Sequence, residues 1–261
     1  MDRPSVITEI QGTVARIWLN RPDFRNALNL DILGEFIHSL QEINADPRIR
    51  LIILRGRGPA FCSGADLNWM QQAWRLSPED NYKESSLLAH CFFELYASPK
   101  ITLAVVHGAA FGGAMGLIAA SDMAVSTETA EFAFSEVKLG LVPAAISPFI
   151  FHKSGKAKVL EYMLTGRRFR GPEAALLGLI NRAVPDEQLD EHLDGLITEL
   201  LHTAPGAQLT IKKMFRSLDP LTDHVSIDQA ASLLAETRVS DEAREGIRAF
   251  LEKRQPTWTN A

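Results

Sequence analysis

Three short stretches of this 261-residue chain carry residue types suited to proton transfer beside a developing negative charge. Phe61-Cys62-Ser63-Gly64-Ala65-Asp66-Leu67 and His107-Gly108-Ala109-Ala110-Phe111-Gly112-Gly113 each place a glycine-containing turn after an apolar run. The runs are Leu51-Ile52-Ile53-Leu54 and residues 101–106. Each turn leads into a helix-like segment, whose first backbone N–H groups lack partners inside the helix and can face an anion. Two such ends brought together make a pair of fixed donors for an oxyanion. The third stretch, residues 132–143, sets Glu136 between Phe134 and Val137 at the exit of an apolar strand. Apolar neighbours disfavour a charged carboxylate, so its pKa is expected to rise toward the range useful for acid–base work.

The elements that must hold these stretches are readable from periodicity. Residues 14–19 alternate moderately and predict a strand, closed by a turn at Arg21-Pro22-Asp23. Asn29 can cap a helix in which Ile32, Phe36, Ile37, Leu40 and Ile43 share a stripe. Buried strands are expected at 49–54, 101–106 and 123–126. This strand–helix–strand rhythm predicts an α/β architecture with right-handed crossovers. Residues 69–84 are polar without clean periodicity and read as a mobile or weakly helical excursion beside the site. After about Gly171 the strands are expected to stop. Pro172 opens a helical turn, and further helices carry Leu189/Leu193/Ile197/Leu200, Ile211/Met214/Phe215 and, after a Ser240 cap, Ile247/Phe250/Leu251.

Composition excludes several classes. With 46% hydrophobic and 23% charged residues the chain has the balance of a globular protein that needs no disulfide or metal to hold a core. Cys62 and Cys91 have no metal-ligand spacing and read as reduced buried thiols. The alternating start argues against a secretory signal, and the most apolar window, 101–120, is broken by His107 and four glycines, so the expected location is the cytoplasm. A net charge of −5 argues against nucleic acid as a partner. His38, His107 and His152 have no partner at metal-ligand spacing and read as structural. No G-x-G-x-x-G, complete P-loop or G-x-S-x-G elbow occurs.

Taken together and in this order, the motifs resemble the enoyl-CoA hydratase/isomerase (crotonase) family. The resemblance runs from Leu19-Asn20-Arg21-Pro22 and Asn26-Ala27-Leu28 to Glu245-Gly246-Ile247-Arg248-Ala249-Phe250-Leu251-Glu252-Lys253-Arg254. It implies a ββα spiral core with an acyl-CoA site over residues 1–200 and a C-terminal helical trimerisation region over 201–261. It also implies a homotrimer or a dimer of trimers, and a coenzyme A thioester as substrate with no separate cofactor or metal. By the same resemblance the oxyanion donors fall on the N–H groups of Ala65 and Gly113, and the carboxyl facing the substrate's α and β carbons falls on Glu136. A thioester oxygen gains charge when a proton leaves the α-carbon or a nucleophile adds to the β-carbon, and fixed donors stabilise it most in a dry site. Arg25 would meet the pantetheine and phosphates. Ser63, Asp66, Leu67, Asn68 and Gly112 would line the cleft, and Phe250 and Lys253 would reach a neighbour's CoA.

One departure matters. Two-glutamate hydratases carry a second glutamate three residues after the second oxyanion glycine, where this chain has Gly116. Glu136 is left to act alone or with a group of the substrate, and the gap at Gly116 is expected to leave space for water or such a group. Residues 110–117, 135–144 and Ile146-Ser147-Pro148 resemble the branch handling 3-methylglutaconyl-CoA in leucine breakdown, and equally its relative handling isohexenylglutaconyl-CoA in terpene breakdown. Hydration, or the reverse dehydration, of a branched glutaconyl-type thioester is therefore the expected reaction. The alternatives are a Δ3,Δ2-enoyl-CoA isomerase, for which one base suffices, and a non-catalytic acyl-CoA- or RNA-binding relative.

Overall fold

A computed structural model describes residues 3–217 and 224–260. The chain starts with a hairpin of β1 (Val6–Gln11) and β2 (Val14–Leu19), then α1 (Leu30–Ala45) and β3 (Leu51–Gly56). Next come α2 (Leu67–Gln72), α3 (Pro78–Ala97), β4 (Ile101–Val106), β5 (Ala109–Phe111), α4 (Gly113–Ala120), β6 (Met123–Thr127) and β7 (Glu131–Ala133). A 3₁₀ turn, Glu136–Leu139, leads to α5 (Ser147–Ser154), α6 (Lys156–Thr165), β8 (Phe169–Arg170), α7 (Gly171–Leu176) and β9 (Arg182–Val184). The chain continues through α8 (Leu189–His202), α9 (Pro205–Ser217), α10 (His224–Arg238) and α11 (Asp241–Leu251).

The main sheet runs β1-β2-β3-β4-β6-β9, parallel throughout except for the antiparallel first pair. Its central strands β3, β4 and β6 are buried on both faces, as parallel strands under helices must be, while the edge strand β1 is largely exposed. Ile17, Ile52, Leu54, Ala104 and Val106 face the larger core, with α1, α3 and α4. The alternate residues Val14, Leu51, Ile53, Leu103 and Val105 meet Leu189, Leu193 and Ile197 of α8. The period of two in each strand thus divides the molecule into two apolar layers. A smaller sheet, β5-β7-β8, begins where β4 ends and carries the chain toward the site.

Several sequence expectations are met to the residue. β2 and β4 occupy the expected spans, and Asn29 caps α1 by accepting from the Ile32 N–H at 3.1 Å. Ser240 caps α11 through the Ala243 N–H. Two expectations are corrected. Residues 69–84, expected to be mobile or weakly helical, are regularly helical and run through α2, a 3₁₀ turn and the first turns of α3, because Asp66 and Ser77 cap the two helices and Trp69 and Met70 bury their side chains. Strands also do not end at Gly171, for β9 closes the sheet beside β6; three residues are too few to show a period.

The apolar residues Ile211, Met214 and Phe215 of α9 point outward and are exposed. Its inward face is cationic. Arg216 donates to the Tyr96, Ala97 and Ser98 carbonyls at the end of α3, and Lys212 donates to Lys100 O at 2.6 Å and Asp122 at 2.5 Å. Cations at a helix C-terminus satisfy orphan carbonyls and the helix dipole together. Among the described residues no helix is long and apolar enough to cross a membrane.

Candidate active site

The two glycine turns are locked together by main-chain contacts. Phe61 N–H donates to His107 O, Cys62 N–H to Ala109 O and Phe111 N–H to Cys62 O, at 2.9–3.1 Å. Glycine is required here by contact as well as by conformation: a Cβ on Gly108 would lie 2.0 Å from Pro59 O, and one on Gly64 2.8 Å from Phe111 O, both at positive φ. The first turn is tied to the start of the chain by Asn26. Its buried side chain donates to the Arg57, Ala60 and Phe61 carbonyls and accepts from the Arg21 N–H. Leu28 completes this lattice, donating to Gly64 O and accepting from the Asp66 N–H.

Ala65 and Gly113 come together as a result. A Cβ placed on Gly113 would be 4.0 Å from the Ala65 nitrogen. The neighbouring N–H groups are engaged, Gly112 with Ala133 O and Met115 with Gly112 O, while neither Ala65 nor Gly113 donates in these turns. Both line a cavity of about 500 Å³.

Glu136 opens the 3₁₀ turn after β7 and lines the same cavity. Its Oε1 lies 3.4 Å from where a Cβ of Gly112 would sit, so the bare glycine, at φ 51°, lets the carboxyl approach the donor turn. The carboxyl faces the cavity, yet its Oε2 is cut off from solvent and has no hydrogen-bond partner. Burial pushes its pKa up to about 7 from an ordinary 4.5, and its own backbone N–H opposes the shift weakly. A buried carboxyl with an idle oxygen is a group held ready to exchange a proton.

The cavity also takes in Arg25, Ser63, Asp66, Leu67, Gly112 and Phe250, but Asn68 and Lys253 do not line it in this chain. Asp66 is already committed: one oxygen accepts from the Asn68 N–H as the cap of α2 and the other from Arg21 at 3.2 Å. The space expected at Gly116 does not exist. A Cβ there would be 2.7 Å from Ile146 Cγ2 and 2.8 Å from Phe92 Cζ, so apolar side chains fill the niche. No water or polar group of a substrate fits beside this glycine.

Sequence reasoning missed Met70, Leu141, Leu234 and Arg238 among the lining residues. They come from α2, α10 and the segment after the 3₁₀ turn, and converge only through tertiary packing. Glu136 was discoverable from its apolar sequence neighbours, although Val137 itself turns outward and the carboxyl lies against the bare Gly112.

A spiral α/β core that aims two N–H groups left free by their turns and a carboxyl with one idle oxygen into a single cavity is suited to an enzyme that moves protons away from bulk water. The comparisons with known proteins agree. The family model described as enoyl-CoA hydratase/isomerase matches residues 9–261. A Thermus thermophilus protein named as a candidate enoyl-CoA hydratase is 36% identical over 246 residues, covering 94% of this chain and 97% of that one. An enoyl-CoA hydratase structure from Shewanella pealeana is 37% identical with a TM-score of 0.79, covering 97% of this chain and 96% of that one. Another, from Mycobacterium avium, is 31% identical with a TM-score of 0.87, covering 99% and 100%. The chain belongs to the enoyl-CoA hydratase/isomerase (crotonase) family, and its fold is the crotonase fold.

Proposed function

We propose that this chain is a hydro-lyase that hydrates a branched, glutaconyl-type enoyl-CoA such as 3-methylglutaconyl-CoA or isohexenylglutaconyl-CoA, or dehydrates the corresponding hydroxyacyl-CoA. The observation that carries the reading is the unpaired Glu136 carboxyl in one cavity with the Ala65 and Gly113 N–H groups. In the hydration direction Glu136, as carboxylate, takes a proton from water while the water oxygen bonds to the β-carbon. The β-carbon's π electrons move to the α-carbon and on to the thioester oxygen, where the two N–H groups stabilise them. The same carboxyl then returns the proton to the α-carbon, closing the proton balance on one residue.

The substrate class is supported by what the cavity wall lacks. Of its two carboxylates, Asp66 is held by Arg21 and the α2 cap, and the Gly116 niche is filled by Phe92 and Ile146. A second group to hold the water then comes from the substrate, and a distal carboxylate meets that need. CoA is assigned to the mouth, where Arg25 and Phe250 line the cavity, and Lys253 and Asn68 are assigned to CoA by family resemblance. The exposed apolar residues of α6, α7 and α9 support burial between subunits of a trimer or paired trimers, and the two free buried cysteines support the cytoplasm as the location.

A second reading, Δ3,Δ2-enoyl-CoA isomerisation, is favoured by the same filled niche, since one carboxyl can shuttle a proton between two carbons without water. Mass analysis of a panel of enoyl-CoA thioesters separates the two. Hydration of 3-methylglutaconyl-CoA adds the mass of water, and we expect it to outpace hydration of crotonyl-CoA. Faster crotonyl-CoA hydration removes the glutaconyl assignment, and a moved double bond without mass gain establishes the isomerase.

A further inference from the structure

Arg238, the last residue of α10, is 0% exposed, yet it lines the cavity that holds Glu136. A guanidinium has five N–H donors in a rigid fork and stays charged, so an interior position normally engages most of them. Here engagement is slight. Nη2 reaches Glu84 Oε2 and Nη1 reaches Ser85 Oγ, both at 3.3 Å, and Nε has no partner at all. Glu84 is itself shared, accepting from Trp69 Nε1 at the shorter distance of 2.7 Å.

The surroundings hold the fork in place without satisfying it. Its carbon sits 4.7 Å from the centre of the Trp69 ring, which supports the cation on one face. The Arg238 backbone carbonyl accepts from Trp74 Nε1 at 3.2 Å, and one turn earlier Asn81 donates to Ala235 O at 2.6 Å, so α10 is anchored to the segment that carries Glu84 and Ser85. Met70 and Leu234 contribute apolar wall to the same cavity. The result is a preorganised cation with an idle donor, at the edge of a largely apolar chamber that also holds the carboxyls of Glu136 and Asp66.

We infer that Arg238 is a specificity-determining residue that binds an anionic group, a carboxylate, at the far end of the acyl chain. This rests on the acyl-CoA reading of the cavity and identifies what the protein itself offers to the distal charge. An oxygen of the incoming carboxylate takes Nε–H, the donor left without a partner, while Glu84 keeps Nη2 and Trp69. A neutral acyl chain leaves that donor unpaired in the interior, which is the stronger source of discrimination.

Two saturated thioesters that cannot react, glutaryl-CoA and butyryl-CoA, isolate this recognition from catalysis. Calorimetry on the wild-type protein is expected to show glutaryl-CoA bound about 10- to 100-fold more tightly, the range of a charge-assisted pair. In Arg238→Met that ratio falls to near one, mainly through weaker glutaryl-CoA binding, and Arg238→Lys restores part of it. Equal affinities in the wild type, an unchanged ratio in Arg238→Met, or equal loss of both ligands in a folded variant overturns the inference. Wild-type discrimination alone tests it should Arg238→Met not fold. The hydratase reading is judged separately, by turnover, and a protein that prefers glutaryl-CoA but hydrates nothing leaves Arg238 assigned and removes the reaction.

Discussion

At the level of single residues the site is a matter of leaving atoms unpaired in the right places. Glu136 has an idle oxygen, and the Ala65 and Gly113 N–H groups have no acceptor in their turns. Glu136→Gln keeps the shape and removes the proton exchange, so turnover is expected to fall at least ~10²-fold with CoA-thioester binding retained. Near-normal turnover in that variant removes Glu136 from the chemistry. For wild-type protein kcat/KM for hydration is expected to rise with pH around 7, because a base in the free enzyme must be ionised. Stability moves the other way. The folded protein keeps this proton between pH 4.5 and about 7 while the unfolded chain releases it, so this group's contribution is greatest below 4.5 and is lost as pH rises through 7. The span corresponds to about 3 kcal/mol, and urea unfolding of Glu136→Gln at pH 5 and 8 is expected to lack that decline.

At the level of elements, the turn that carries Glu136 is held from outside by α11. A Cβ on Gly246 would fall 2.4 Å from the Leu139 carbonyl carbon, and one on Gly140 2.3 Å from Glu242 O, so backbone meets backbone on both sides. Gly246→Ala must push α11 off this turn. We expect a loss of roughly 1–3 kcal/mol in urea midpoint and a lower kcat, since the displaced turn positions the carboxyl. Gly195, exposed in α8 with nothing within 4 Å of an added Cβ, is the control. Gly195→Ala is expected to leave turnover unchanged and to raise stability by up to ~1 kcal/mol. Equal effects of the two substitutions would mean that the close approach is unimportant. Such approaches are invisible in sequence, where Gly195 and Gly246 look alike.

For the molecule as a whole, legibility followed range. Strands β2, β3, β4 and β6, the α1 cap and the two glycine turns were readable because their signals lie within a few residues. Glu136 was readable because Phe134 and Val137 travel with it. The apolar plug at Gly116 comes from Phe92 and Ile146, and the buried one of the cavity's cations from Arg238, far along the chain in both cases, and no period or motif announces them. The division at residue 200 meets the same limit: Ile227, Ala231 and Leu234 lie in the main core, and Leu234, Arg238 and Phe250 line the cavity. Removing everything after Pro205 is therefore expected to give aggregated or unfolded protein, read by light scattering and circular dichroism, and a soluble active truncation would contradict this. Intact protein, with Leu176 80% and Phe215 63% exposed in the single chain, is expected to sediment as a multiple of three.

The contact between Gly246 and Leu139 also has a consequence in time. A ribosome makes the Glu136 turn more than a hundred residues before it makes the helix that steadies it, so a nascent chain holds a half-built site for much of its synthesis. The contact that steadies the turn is available only once α11 has emerged, and closing so long a stretch carries an entropy cost that the local turns do not. Chains released early therefore carry Glu136 without the helix that packs against its turn.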